Sequence, residues 1–243
     1  WDVARAVIRG EAETPATASP RPAPTLLAPT ERRRAPDTVA IALEVASKAC
    51  EAAGRSPADI ASVFASTHGD LAISDNMCAT LVNTPTLISP VKFHNSVHNA
   101  AAGYWSIGTG NYAPYTALSA FHCTFATGLL EAATQVVCER KPVLYVAFDI
   151  EARGALATVA PSRGLLGAGL LLAPDKGQAG VTLLRLQIGN DADPTPARSP
   201  AAPLVADNAL APCLPFFESL AWGESTVRLQ LNERASLLVH MER

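Results

Sequence analysis

Cys123 and its neighbour His122 are the residues in this 243-residue chain best suited by type to covalent chemistry. A thiolate activated by an imidazole carries acyl groups in nucleophilic catalysis. Neighbours on a helix point in different directions, however, so adjacency alone does not make this pair a dyad. Cys123 has two readings: a nucleophile, or a small apolar side chain buried at the start of a helix, the commoner state of a free cysteine. His94 and His98 stand four apart, interleaved with Asn95 and Asn99, a spacing that puts both imidazoles on one helical face. A metal site needs at least three protein ligands and no third is evident, so these histidines read as hydrogen-bonded structural groups and no metal is expected.

Two other runs resemble functional motifs less well. Gly164-Leu-Leu-Gly-Ala-Gly169 is glycine-rich but leads into an apolar strand, whereas a dinucleotide fingerprint needs glycines between a strand and a helix. Nucleotide binding is therefore rejected. Glu31-Arg-Arg-Arg34 is a short basic run flanked by prolines, read as a solvated loop, with docking of an acidic partner as the alternative.

The elements that must position these residues follow from the apolar pattern. Residues 11–36 are rich in proline, alanine and threonine, resist regular structure and read as an extended arm or an ordered surface loop. Asp37 caps a predicted helix to about Ala53, with Val39, Leu43, Ala46 and Cys50 on one stripe and Gly54 as its stop. A buried strand at 60–66, a helix at 72–83 and an alanine-rich helix running from 93 to 107 follow. Next come strand 115–120, helix 123–138, strand 143–149 and a glycine-rich strand entering 170–173. A second proline-rich loop covers about 190–206, then a helix at 210–222 and a hairpin of 226–231 with 236–241. The organisation expected is a proline-rich arm plus the start of the domain over 1–36 and a single domain over 37–243. Strand-helix-strand repetition with continuous apolar strands predicts an α/β fold whose strands are covered on both faces.

Composition narrows the function. A net charge of −3 and a pI near 6.0 give no reason to expect nucleic acid. Hydrophobic residues at 49% against charged residues at 17% suggest that a partner covers part of the surface. No apolar run is long enough to span a bilayer. Five cysteines, odd in number and without CxxC spacing, read as free thiols in a reducing compartment, the cytoplasm. Trp1 is no initiator methionine, so any targeting signal ahead of it is unseen.

The run from Ser96 to Gly128, SVHNAAAGYWSIGTGNYAPYTALSAFHCTFATG, resembles the nucleophile segment of a β-ketoacyl synthase: a small-residue helix, a polar turn, a short strand and a strand-to-helix elbow. The VFAS strand, the VLYVAFD strand and the glycine-rich strand are similar to the same family's amino-terminal half and stand in its order. With the arginine run and the FATGLLEAA segment, the chain most resembles the short chain-length-factor subunits of aryl polyene pathways. The resemblance implies a thiolase-like half fold, layered, with a mixed sheet of about five strands between flanking helices. It places Phe121 where the family's reactive cysteine stands, and a benzyl group cannot attack a thioester. The family's second half, with its two decarboxylating histidines, has no counterpart around His68, His94, His98, His122 or His240. The function implied is a pseudo-enzyme subunit that pairs with a catalytic β-ketoacyl synthase and shapes its acyl tunnel, with an acyl carrier protein as further partner and no cofactor. The resemblance makes Ala101, Ser119, Ala120, Phe121, His122 and Phe125 the interface and tunnel residues. Two alternatives stay open: a minimal acyl-transfer enzyme using Cys123, and a scaffold without influence on chain length.

Overall fold

The computed structural model describes residues 1–16, 20–174, 180–190 and 193–243. Helices α1 (Asp2–Ile8) and α2 (Pro29–Arg34) precede α3 (Asp37–Ala52) and strand β1 (Ala61–Ala65). Then come α4 (Leu71–Asn83), α5 (Pro90–Ser96), α6 (Ala100–Thr109), β2 (Tyr115–Leu118), α7 (Thr124–Glu139) and β3 (Val143–Asp149). The chain closes with β4 (Leu166–Leu172), β5 (Leu183–Gly189), α8 (Ala202–Val205), α9 (Leu214–Trp222), β6 (Thr226–Gln230) and β7 (Ser236–Glu242).

The strands form two sheets rather than the single sheet of about five strands expected. The first has the order β2-β1-β3-β4, with β2, β1 and β3 parallel and β4 antiparallel to β3. The second, β5-β7-β6, is antiparallel throughout. Strand β5 is absent from the sequence expectation because its apolar residues are interrupted by Arg185 and Gln187 in a way that marks no turn or run.

Every residue of β3 is buried, and its side chains alternate between two cores as strand geometry requires. Leu144, Val146 and Phe148 pack with Val39, Leu43 and Ala46 of α3 and with Ala101, Ala102 and Trp105 of α6. Val143, Tyr145 and Ala147 face Phe125, Leu129 and Ala132 of α7, Phe216 of α9, and Val227, Leu237 and Val239 of the second sheet. Burying each such large side chain contributes roughly 1.5–3 kcal/mol relative to solvent. Gly167 and Gly169 have a packing role: a methyl group on either would collide with Ile41 or with the Val45 backbone, so these glycines let α3 lie directly on β4.

Three sequence expectations are corrected here. The arm is not uniformly extended: Pro29 starts α2, Arg32 Nη2 donates to the Leu27 carbonyl at 2.9 Å, and Leu27 and Ala35 are buried in the α3 core. Asp37 is the first residue of α3, not its cap, and pairs with Arg21. The predicted 93–107 helix is two helices, α5 and α6, separated by the 97–99 turn.

Candidate functional site

The carboxyl ends of the three parallel strands converge on one cluster of polar residues, where open α/β sheets hold their sites. From β1 come Ser66, Thr67 and His68, from β3 Asp149, and from β2 the turn 119–123 that leads into α7.

Asp149 is fully buried. Its carboxylate accepts from Ser66 Oγ at 2.9 Å, from the Thr67 N–H at 2.9 and 3.1 Å and from the His68 N–H at 3.3 Å. Burial raises the Asp149 carboxyl above its ordinary value, and the hydrogen bonds from Thr67 and Ser66 oppose that rise. Thr67 in turn ties the elbow: its carbonyl accepts from Ser119 Oγ at 2.9 Å.

The elbow itself turns on Phe121, whose φ of +50° is in the left-handed region. The other non-glycine residue of positive φ among those described is Arg140, which ends α7 in an ordinary left-handed helix cap. Phe121 has no such excuse: a bulky side chain there is strained by on the order of 1–3 kcal/mol. Thr124 Oγ1 spans it, accepting from the Ala120 N–H at 3.0 Å and donating to the Phe121 carbonyl at 2.7 Å. The Phe121 ring is 47% exposed and lies against the His122 ring, with centroids 3.9 Å apart.

The other predicted site residues fall in different places. Cys123 is partly buried at the N-cap of α7, and burial raises its thiol above the usual value, the opposite of what a nucleophile needs. Ser119 is exposed, Ala120 half-buried and His122 exposed. Phe125 is core, 3% exposed and ringed by Tyr145, Phe216 and Phe217. Ala101 is 2% exposed and packed in the α3–α6 core, so neither it nor Phe125 presents a surface to a partner in this chain. His94 and His98 do not share a helical face: His94 lies on α5 against Tyr104, whereas His98 lies beyond the helix end and its Nε2 donates to the Ser66 carbonyl at 2.8 Å.

Sequence reasoning missed Ser66, Thr67, His68, Thr124 and Asp149. The available signal was positional: a polar residue closing a continuous apolar strand, as Asp149 closes VLYVAF and Ser66 follows SVFA. His68 Nε2 is shielded from solvent and has no hydrogen-bond partner among the described residues. Burial lowers the His68 imidazole below its usual value, an effect opposed by Asp149 and reinforced by His122.

Beyond the elbow, β2 is an edge strand with partly exposed residues, and Phe93, Val97, Tyr115 and Phe121 are exposed on the segments around it. Asn99 Nδ2 donates to Tyr115 Oη at 3.1 Å, joining the 97–99 turn to that edge. Among the described residues no helix is long and apolar enough to cross a membrane.

This layered arrangement of a mixed sheet and flanking helices, with an elbow between an edge strand and a core helix, is a ketosynthase-type fold. Residues 8–234 match the family model described as Beta-ketoacyl synthase, N-terminal domain, and the chain belongs to that family. It is similar in structure to a ketosynthase (ApeO) in complex with its chain length factor (ApeC) from Xenorhabdus doucetiae, at TM-score 0.68 and 22% identity over 94% of this chain and 88% of that one. It is also similar to the ishigamide ketosynthase/chain length factor, at TM-score 0.56 and 16% identity over 76% of this chain and 62% of that one. No curated protein matches the chain.

Proposed function

We propose that this chain is a subunit of the chain-length-factor type, without condensing chemistry of its own, that pairs with a catalytic β-ketoacyl synthase in aryl polyene or related polyene biosynthesis. The observation that carries this reading is Phe121: the strained residue of the elbow is an exposed benzyl group and not a thiol. A left-handed conformation is retained against its cost only where the surroundings over-determine it, and such positions cluster at functional sites.

Pairing is supported by the unpartnered edge of β2 and the exposed apolar side chains around it. An open edge strand is a template for a second chain. The Phe121 ring, projecting from that edge, then stands in the partner's acyl tunnel and limits extension by volume. The growing chain arrives on an acyl carrier protein, and the five free cysteines fit a reducing, cytoplasmic setting.

The test is reconstitution with a catalytic β-ketoacyl synthase, an acyl carrier protein and malonyl units. The expected result is a stable heteromeric complex, and Phe121→Ala shifts its products toward additional extension cycles, each extra buried methylene gaining roughly 0.8 kcal/mol. An unchanged product distribution reduces the chain to a scaffold. An acyl adduct on Cys123 after incubation with a reactive thioester, detected by mass spectrometry, makes it an acyl-transfer enzyme instead.

A further inference from the structure

Phe121 does not hold its own conformation. The penalty on a bulky left-handed residue corresponds to a roughly 5- to 150-fold preference for ordinary backbone, so something adjacent must supply the difference. Part of it comes from the turn itself, where the Cys123 N–H donates to the Ala120 carbonyl at 3.0 Å and the Thr124 N–H to the Phe121 carbonyl; the remainder comes from one side chain. Thr124 is 2% exposed, and its single hydroxyl accepts from the N–H before Phe121 and donates to the carbonyl of Phe121 itself. Both backbone groups flanking the strained φ are thereby fixed to one atom on the first turn of α7. That helix is anchored in the core through Phe125 and Leu129. A second brace comes from the β1 side. Thr67 Oγ1 lies 3.4 Å from Thr124 Oγ1 and 3.5 Å from the Phe121 carbonyl, and Asp149 holds the Thr67 backbone.

We propose that Thr124 is the positioning residue of this site: its hydroxyl locks Phe121 in the left-handed pose that projects the ring, and loop 66–68, held by Asp149, sets where that lock stands. The role in product length rests on the chain-length reading above; the lock itself does not. Without the hydroxyl the backbone at Phe121 relaxes, the ring leaves its place beside His122, and the stop it makes becomes indefinite.

The experiment places 4-fluorophenylalanine at position 121 of the full chain and compares its 19F resonance in the parent, Thr124→Val and Thr124→Ser, alongside melting curves and the products of the reconstituted complex. Valine keeps the shape without the hydroxyl, and serine keeps the hydroxyl. The expected result is one sharp resonance in the parent and in Thr124→Ser. In Thr124→Val the resonance moves or splits, and the products lengthen in the direction of Phe121→Ala. A resonance in Thr124→Val identical to the parent's overturns the proposal. If Thr124→Val fails to fold, Thr67→Val serves in its place and must broaden the same resonance, or the brace is refuted. A resonance that moves while neither Thr124→Val nor Phe121→Ala alters the products leaves the lock standing and refutes the chain-length reading.

Discussion

Asp149 closes β3 by taking the backbone N–H of Thr67 on both of its carboxylate oxygens, at 2.9 and 3.1 Å. This bond joins the ends of two parallel strands, and Thr67 passes the constraint on to the elbow through Ser119 and Thr124. The polar cluster is therefore a frame as well as a surface.

Asp149→Ala should be among the most destabilising single changes in the chain. It leaves Ser66 Oγ and the Thr67 and His68 N–H groups without their acceptor in a buried setting, and each orphaned donor costs about 1–3 kcal/mol. A loss of at least about 3 kcal/mol by urea denaturation is expected, whereas a loss within error would show that water replaces the carboxylate.

Phe121 and Phe125 should separate cleanly. Phe125→Ala removes a ring packed on Tyr145, Phe216 and Phe217 and should cost about 3–5 kcal/mol. Phe121→Gly relieves the left-handed backbone and should stabilise the chain by about 1 kcal/mol, even though a ring is lost. Thermal melts of the two variants decide it; destabilisation by Phe121→Gly would mean that the ring contributes more to this chain's own packing than its exposure implies.

Ala101→Arg and Ala120→Arg test different things. Ala101 lies in the α3–α6 core, where a guanidinium is buried without a partner, so that variant should lose its fold. Ala120 is half-buried beside the edge strand, so Ala120→Arg should keep the circular dichroism of the parent and lose co-elution with the ketoacyl synthase. Retained co-elution would move the interface away from β2.

The His68 imidazole gives the chain an acid-sensitive component. Burial holds its folded value below the ordinary 6.5, so the folded state favours the neutral ring. The stability tied to that neutral ring is present above the unfolded value and is lost as pH falls from about 6.5 toward the lowered folded value. Asp149 works in the reverse sense: its folded value is raised, so its contribution falls as pH rises from 3.8 through that value. The two windows point to His68 for losses just below neutrality. His68→Gln should reduce the drop in melting temperature between about pH 7.5 and about pH 5.5, which bracket the ordinary imidazole value. An undiminished drop would assign it to other groups.

Local signals in the sequence were enough for the continuous apolar strands β1 and β3, the stripe Val39, Leu43, Ala46 and Cys50 on α3, and the order of elements through the elbow. Each depends on periodicity or a run within one segment, and burial on both faces makes those runs unambiguous. The division of the strands into two sheets was not legible, because β5 pairs with β7 across more than forty residues and its side chains carry no short-range mark of that pairing. Nor were the burial of Ala101 and Phe125 or the break between α5 and α6, since which face of a small-residue helix turns inward depends on what packs against it. The sequence by itself put a benzyl group at position 121. Only the tertiary structure gave that residue a left-handed backbone, because the hydroxyl of Thr124 and the Asp149–Thr67 bond that hold the elbow join three strand ends far apart in the chain.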